Sequence, residues 1–287
     1  MLLKNTLLIL VILVNAYFGY VLIKDLLSHR KETMAEPASS LALSLSSTLI
    51  FFFSTIGISD FAISTGLYPK LRWTTVKKLP GTLNTQCTIP VAVMALAYIQ
   101  NIEVGILTLA VCIICQVIGS YFGAKFAIKL PAEKLKGFIG FGMIIAALII
   151  VGGLLGWLPH GGQATALSGG KLILAGLLLF VFGALNNIGI GSYALTMITV
   201  YLLGMSPAVS FPIMMGAATF SVPVGSVQFV KSGEYSRKIT LFTSTFGVLG
   251  VLVAVYFVTS LNVDMLKWIV AGILLYSSYG MLQKQHQ

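Results

Sequence analysis

Asp60 is the one acidic side chain set deep within an apolar stretch of this 287-residue sequence. A carboxylate in such surroundings is costly, and the residue type suits the uptake and release of a coupling proton. A second group is neutral. The run LPGTLNTQCTIP (79–90) sets Asn84, Thr85, Gln86 and Thr88 between Pro80 and Pro90, and FPIMMGAATFSVP (211–223) sets Thr219 and Ser221 between Pro212 and Pro223. Amides and hydroxyls at this density suit an oxyanion held by hydrogen bonds, and the prolines free backbone carbonyls that neighbours must satisfy. A third feature is a pair of weak points, Gly57-Ile-Ser-Asp60 and Gly189-Ile-Gly-Ser192, the second preceded by Asn186 and Asn187. Glycine lets a chain leave the helix, and a helix that restarts there aims free N–H groups and a positive dipole end at whatever binds. These features give the candidate binding set: Gly57, Ser59, Asn84, Thr85, Gln86, Asn187, Gly189, Gly191, Ser192, Thr219 and Ser221, with Asp60 as the proton carrier.

Catalytic and metal chemistry find less material. His29, His160 and His286 fall in loops or the tail, and Cys112 and Cys115 have CxxC spacing without a second Cys/His pair, so they read as packing residues. No phosphate-binding loop, zinc-protease helix or nucleophile elbow occurs. The expectation is no cofactor, no metal and no catalytic set.

The elements that must position these residues are membrane helices. Of the chain, 57% is hydrophobic and only 9% charged, with mean hydropathy +0.96, against about 25% charged in a soluble domain. The apolar segments are 5–23, 41–68, 80–99, 104–124, 137–156, 172–202, 209–230, 239–259 and 266–283. Residues 5–23 read as a retained first helix because the run is long and no cleavage site follows. The net charge of +10 belongs to basic loops and not to nucleic-acid binding.

Sliding the chain by about 132 residues brings Gly57-Ile58 onto Gly189-Ile190, Pro80 onto Pro212 and Gly119 onto Gly250. The division is therefore 1–40, an N-terminal helix and cytoplasmic loop; 41–156, a first repeat; 157–171, a Gly-rich linker; and 172–287, a second repeat. Segments 41–68 and 172–202 could cross once as long tilted helices, or enter and return on one side. Single crossings divide the Lys and Arg residues ten against eight, whereas returning segments gather fifteen on one face and leave three on the other. The positive-inside rule selects the second arrangement. The expected fold is all-α: two inverted repeats, each with a broken or re-entrant helical hairpin, plus an extra transmembrane helix, with the N-terminus outside and the C-terminus cytoplasmic.

Several runs then become informative together. GIGSYA (189–194), YLLGMSP (201–207), FPIMMG (211–216) and KSGEY (231–235), with GSYFGAK (119–125) and LPAEKL (130–135), resemble the sulfite exporter TauE/SafE family of bacterial permeases. The resemblance spans about residues 41–283 and implies a secondary transporter of the inner membrane for a small anion such as sulfite, a sulfonate or a related organic acid. This chain has Ser59-Asp60-Phe61 where such families often carry glycines, and a carboxylate there repels an anion unless protonated. The partners expected are the small anion and the bilayer, with no nucleic acid; homodimerisation stays open. The alternative is a membrane-embedded enzyme acting on a lipid or small molecule, for which the chain offers only Asp60 and scattered hydroxyls.

Overall fold

A computed structural model describes residues 2–56, 58–98, 104–157 and 162–257, together with 272, 275, 278, 279 and 282. The predicted segment 266–283 and Gly57 thus lie largely or wholly outside the described residues. The described residues form helices and no strands: α1 (Leu2–Ser28), α2 (Arg30–Ala35), α3 (Ser40–Thr55), α4 (Asp60–Lys70), α5 (Leu79–Tyr98), α6 (Ile106–Lys129), α7 (Ala132–Leu154), α8 (Gly169–Asn186), α9 (Tyr193–Leu202), α10 (Pro207–Ser232), α11 (Arg237–Phe242) and α12 (Val248–Phe257). A π-helical turn, Thr243–Gly247, joins α11 to α12.

Among the described residues, six stretches are long and apolar enough to cross a bilayer: Asn5–Ser28, Ile106–Lys129, Ala132–Leu154, Gly169–Asn186, Pro212–Ser232 and Arg237–Tyr256. They fit a multi-pass membrane protein. The polarity is arranged accordingly. Leu13, Leu45, Phe122, Leu177 and Leu249 face outward, while Asn84, Gln86, Gln116, Asn186 and Asn187 are buried. Lipid solvates the first group without cost, and the second must find partners inside the protein.

Both long segments are interrupted where the glycines predicted. α3 stops at Thr55 and α4 restarts at Asp60; α8 stops at Asn186 and α9 restarts at Tyr193. The limbs are unequal and not the two half-length pieces that a central break would give. At about 1.5 Å per residue, the 16 and 18 residues of α3 and α8 run about 24–27 Å, and the 11 and 10 of α4 and α9 about 15–17 Å.

Two close helix contacts recur at the spacing seen in the sequence. α6 lies along α8, and α12 lies along α3. On α6, a Cβ built at Gly119 would fall 1.9 Å from the Phe180 carbonyl oxygen; one built at Gly250 in α12 would fall 2.1 Å from that of Thr48. Phe180 and Thr48 stand about 132 residues apart in the chain, as nearly do the two glycines. Only a residue without a side chain lets the backbones approach so closely. α5 and α10, which carry Pro90 and the pair Pro212 and Pro223, pack against one another.

The basic loops meet at one end. Arg237 Nε donates to Asp25 Oδ2 at 2.7 Å, the Ser236 backbone N–H donates to Thr82 Oγ1 at 2.9 Å, and Lys77 Nζ donates to the Leu130 carbonyl at 2.8 Å. Thr82 Oγ1 in turn donates to the Lys78 carbonyl at 2.8 Å, so clusters 24–31, 70–78, 125–136 and 231–238 are linked. At the opposite end Lys171, opening α8, donates to the carbonyl of Leu203 just past α9 at 3.0 Å, so the start and finish of that segment lie together.

Candidate functional site

The site is built around the two interruptions. Ser59 N-caps α4 by accepting from the Ala62 N–H, a standard way of satisfying a helix's first donors. In the second interruption Gly189 takes φ +102°, a conformation that favours glycine, and Ser192 precedes α9 without a side-chain cap. The two meet. A Cβ built on Gly191 would lie 3.8 Å from the Phe61 Cβ and 4.0 Å from the Ser59 Oγ. Both short helices begin here, so two N-termini converge on one junction, each contributing the positive end of a helix dipole. Ile139 and Leu83 pack beside Gly189, and Gly142 of α7 admits Ile190.

Each interruption is tied across by one hydrogen bond with the same spacing. Ser54 Oγ donates to Asp60 Oδ1 at 3.2 Å, and the Ser192 N–H donates to Asn186 Oδ1 at 3.2 Å. Asp60 is buried at 4% exposure, and its second oxygen, Oδ2, has no partner. The carboxylate therefore sits neither in water nor against a lysine.

The amides expected to hold a ligand hold the protein instead. Asn84 Nδ2 donates to the carbonyls of Pro80 (2.9 Å) and Asn186 (3.2 Å), while Asn186 Nδ2 donates back to Asn84 Oδ1 at 2.8 Å. Gln86 Nε2 donates to Ser64 Oγ at 2.8 Å, and Gln86 Oε1 accepts from Tyr68. Asn187 Nδ2 divides its hydrogens between Ser120 Oγ (2.9 Å) and the Gly183 carbonyl (2.8 Å). Thr88 shares a 3.0 Å bond with Ser226. These are buried, paired networks that fix one arrangement of the helices.

Two predicted residues look elsewhere. Thr85 shares a 2.7 Å bond with Thr240 of α11, and the Thr219 hydroxyl donates to the Met215 carbonyl of its own helix. Ser59, Gly189, Gly191 and Ser192 are at the junction; Asn84 and Asn187 brace it from α5 and α8. Ser221 joins it through a residue the sequence reading passed over. Gln116, 1% exposed on α6, donates from Nε2 to Ser221 Oγ (3.1 Å) and Ser192 Oγ (3.4 Å), and its Oε1 has no partner. It is the one amide side chain in the 104–124 segment, a signal masked by the neighbouring Gly119 and Gly123 spacing.

Other missed residues belong to α1. Asn15 Nδ2 donates to the Thr219 carbonyl at 3.2 Å, the oxygen that Pro223, four residues on, has no N–H to reach. At the basic end Asp25 takes both Arg237 and the Tyr235 hydroxyl, the latter at 2.6 Å. Glu36 accepts from the N–H groups of Arg237 (3.1 Å) and Lys238 (3.0 Å) and from the Ser236 hydroxyl, capping α11.

No family model, curated protein or solved structure matches the chain. The description of the site therefore rests on its own geometry. Among the described residues, no cluster of three or more His, Cys, Asp or Glu could hold a metal ion. What remains is a buried junction with two helix N-termini, one carboxylate and hydroxyl-rich walls.

Proposed function

We propose that this protein is a secondary transporter that moves a small anion across the cytoplasmic membrane, with Asp60 carrying a coupled proton. The observation that carries the reading is the meeting of the two interruptions at Ser59 and Gly191, with α4 and α9 both starting there. Non-helical backbone in a bilayer must be enclosed by protein or line a polar cavity, and paired half-helix N-termini are a recurrent way of receiving an anion. Neither feature serves a helix bundle that has only to be stable. Catalysis on a lipid or small molecule is the weaker reading, since it would rest on Asp60 and the single Ser54 hydroxyl that donates to it.

Two inverted repeats with re-entrant hairpins supply the frame for this reading. The recurring Gly119–Phe180 and Gly250–Thr48 contacts, the joined ends of the α8–α9 segment and the gathering of four basic clusters at one end all favour it. The basic end then faces the cytoplasm and the N-terminus lies outside. Kinship with the sulfite exporter family stands on the residue runs alone, and sulfite or a sulfonate is the substrate class it suggests. The test is anion flux in proteoliposomes loaded with the full chain. Flux driven by a proton gradient and lost in Asp60→Asn is expected. Absence of flux for every small oxyanion tried would contradict the reading.

A further inference from the structure

The buried polar atoms of the junction do not balance. Every amide nitrogen around it is committed to the protein: Asn84, Asn186, Asn187, Gln86 and Gln116 all donate to protein oxygens. On the acceptor side Asp60 Oδ2, Gln116 Oε1 and Asn187 Oδ1 have no donor. A buried acceptor without a donor forfeits its full solvation, so an imbalance of one sign selects the opposite sign in what binds. Asn187 can be set aside, because a Cβ on Gly225 would fall 2.2 Å from its Oδ1, which means the Gly225 backbone already closes over that oxygen. Asp60 and Gln116 remain. Asp60 opens α4, and Gln116 reaches the residue that precedes α9 through Ser192.

A fully deprotonated oxyanion offers only acceptors and would set lone pairs against lone pairs at Gln116 Oε1, and at Asp60 Oδ2 as well whenever Asp60 carries no proton. The two helix N-termini still favour negative charge. Both demands are met by one class of cargo. We propose that the transported species is a small oxyanion that keeps a hydroxyl hydrogen, and that Gln116 Oε1 is the acceptor that reads it. This rests on the transport reading above and narrows its substrate.

The experiment uses two probes of equal charge and nearly equal shape. Methanesulfonate bears no hydrogen on oxygen, and at about pH 6 methylphosphonate is chiefly the monoanion with one P–OH. Their affinities for the purified full chain are compared by isothermal titration calorimetry. A preference of about tenfold or more for hydrogen methylphosphonate is expected. In Gln116→Met it should shrink to within about threefold, through loss of phosphonate affinity with sulfonate affinity little changed. Gln116→Glu, which keeps an acceptor oxygen at the Oε1 position, should retain the preference; if Gln116→Met does not fold, this variant and the wild-type ratio decide. Equal binding of the two probes, or tighter binding of the sulfonate, would mean that water satisfies these oxygens and would overturn the inference while leaving transport standing. Binding of neither probe would overturn this inference, and absence of flux for every small oxyanion tried would overturn the transport reading with it.

Discussion

The two interruptions are built alike and charged differently. In each, the residue just inside the first limb is hydrogen-bonded to the residue six positions on: Ser54 to Asp60 at the first, Asn186 to Ser192 at the second. The donor differs, a hydroxyl in one and a backbone N–H in the other. The first leaves a carboxylate oxygen without a partner; the second pairs both polar atoms of its amide, Nδ2 with Asn84 Oδ1 and Oδ1 with the Ser192 N–H. The first interruption thus presents an acidic group and the second a neutral brace.

This contrast can be broken from either side. The largest effect is expected from Asp60→Asn, which should lower proton-driven anion flux about 100-fold, whereas Ser192→Ala at the equivalent position should lower it less than about fivefold. Equal losses would remove the division of tasks. Next come the glycines that let each half's helices touch. Gly119→Val and Gly250→Val would each drive a side chain into a backbone carbonyl, and each should cost about 1–3 kcal/mol, read as a lower midpoint of thermal unfolding in detergent. A large loss at one glycine alone would mean that only one helix contact bears on stability.

Smaller effects sharpen the same comparison. Asn186→Ala orphans Asn84 Oδ1 and the Ser192 N–H and should destabilise by about 1–3 kcal/mol. Ser54→Ala removes one bond and should cost about 0.5–1.5 kcal/mol, so denaturation should rank the two variants in that order. The smallest belongs to α1. Asn15→Leu removes the donor that serves the Thr219 carbonyl and should cost about 1 kcal/mol, with anion affinity unchanged.

Much of the frame was legible because its causes are local. Glycine at Gly189, proline at Pro80 and Pro223, and the placement of lysines act through backbone freedom, missing N–H groups and charge, each readable in a short window of sequence. The interruptions fall where these residues predict. The candidate site was legible only in part. Asn84, Gln86 and Asn187 are buried at the centre, yet their amides pair with residues up to about 100 positions away, and a pattern within one helix carries no trace of that partner. Gln116 was hidden for the opposite reason, as a single polar residue on a helix whose glycines already explained it. Thr85 and Thr219 were drawn in by composition, but each turns to another neighbour. The clasp of Asp25 and Glu36 on α11 had no counterpart in the repeat from which it could be inferred.

The contact between the two interruptions can be measured covalently. With Cys87, Cys112 and Cys115 replaced by alanine, Ser59→Cys and Gly191→Cys are combined in the full chain and oxidised in native membranes. Rapid, nearly complete disulfide formation, slowed by a transported anion, is predicted. Two thiols that stay free under oxidation, and that no short bifunctional reagent bridges, would contradict the account.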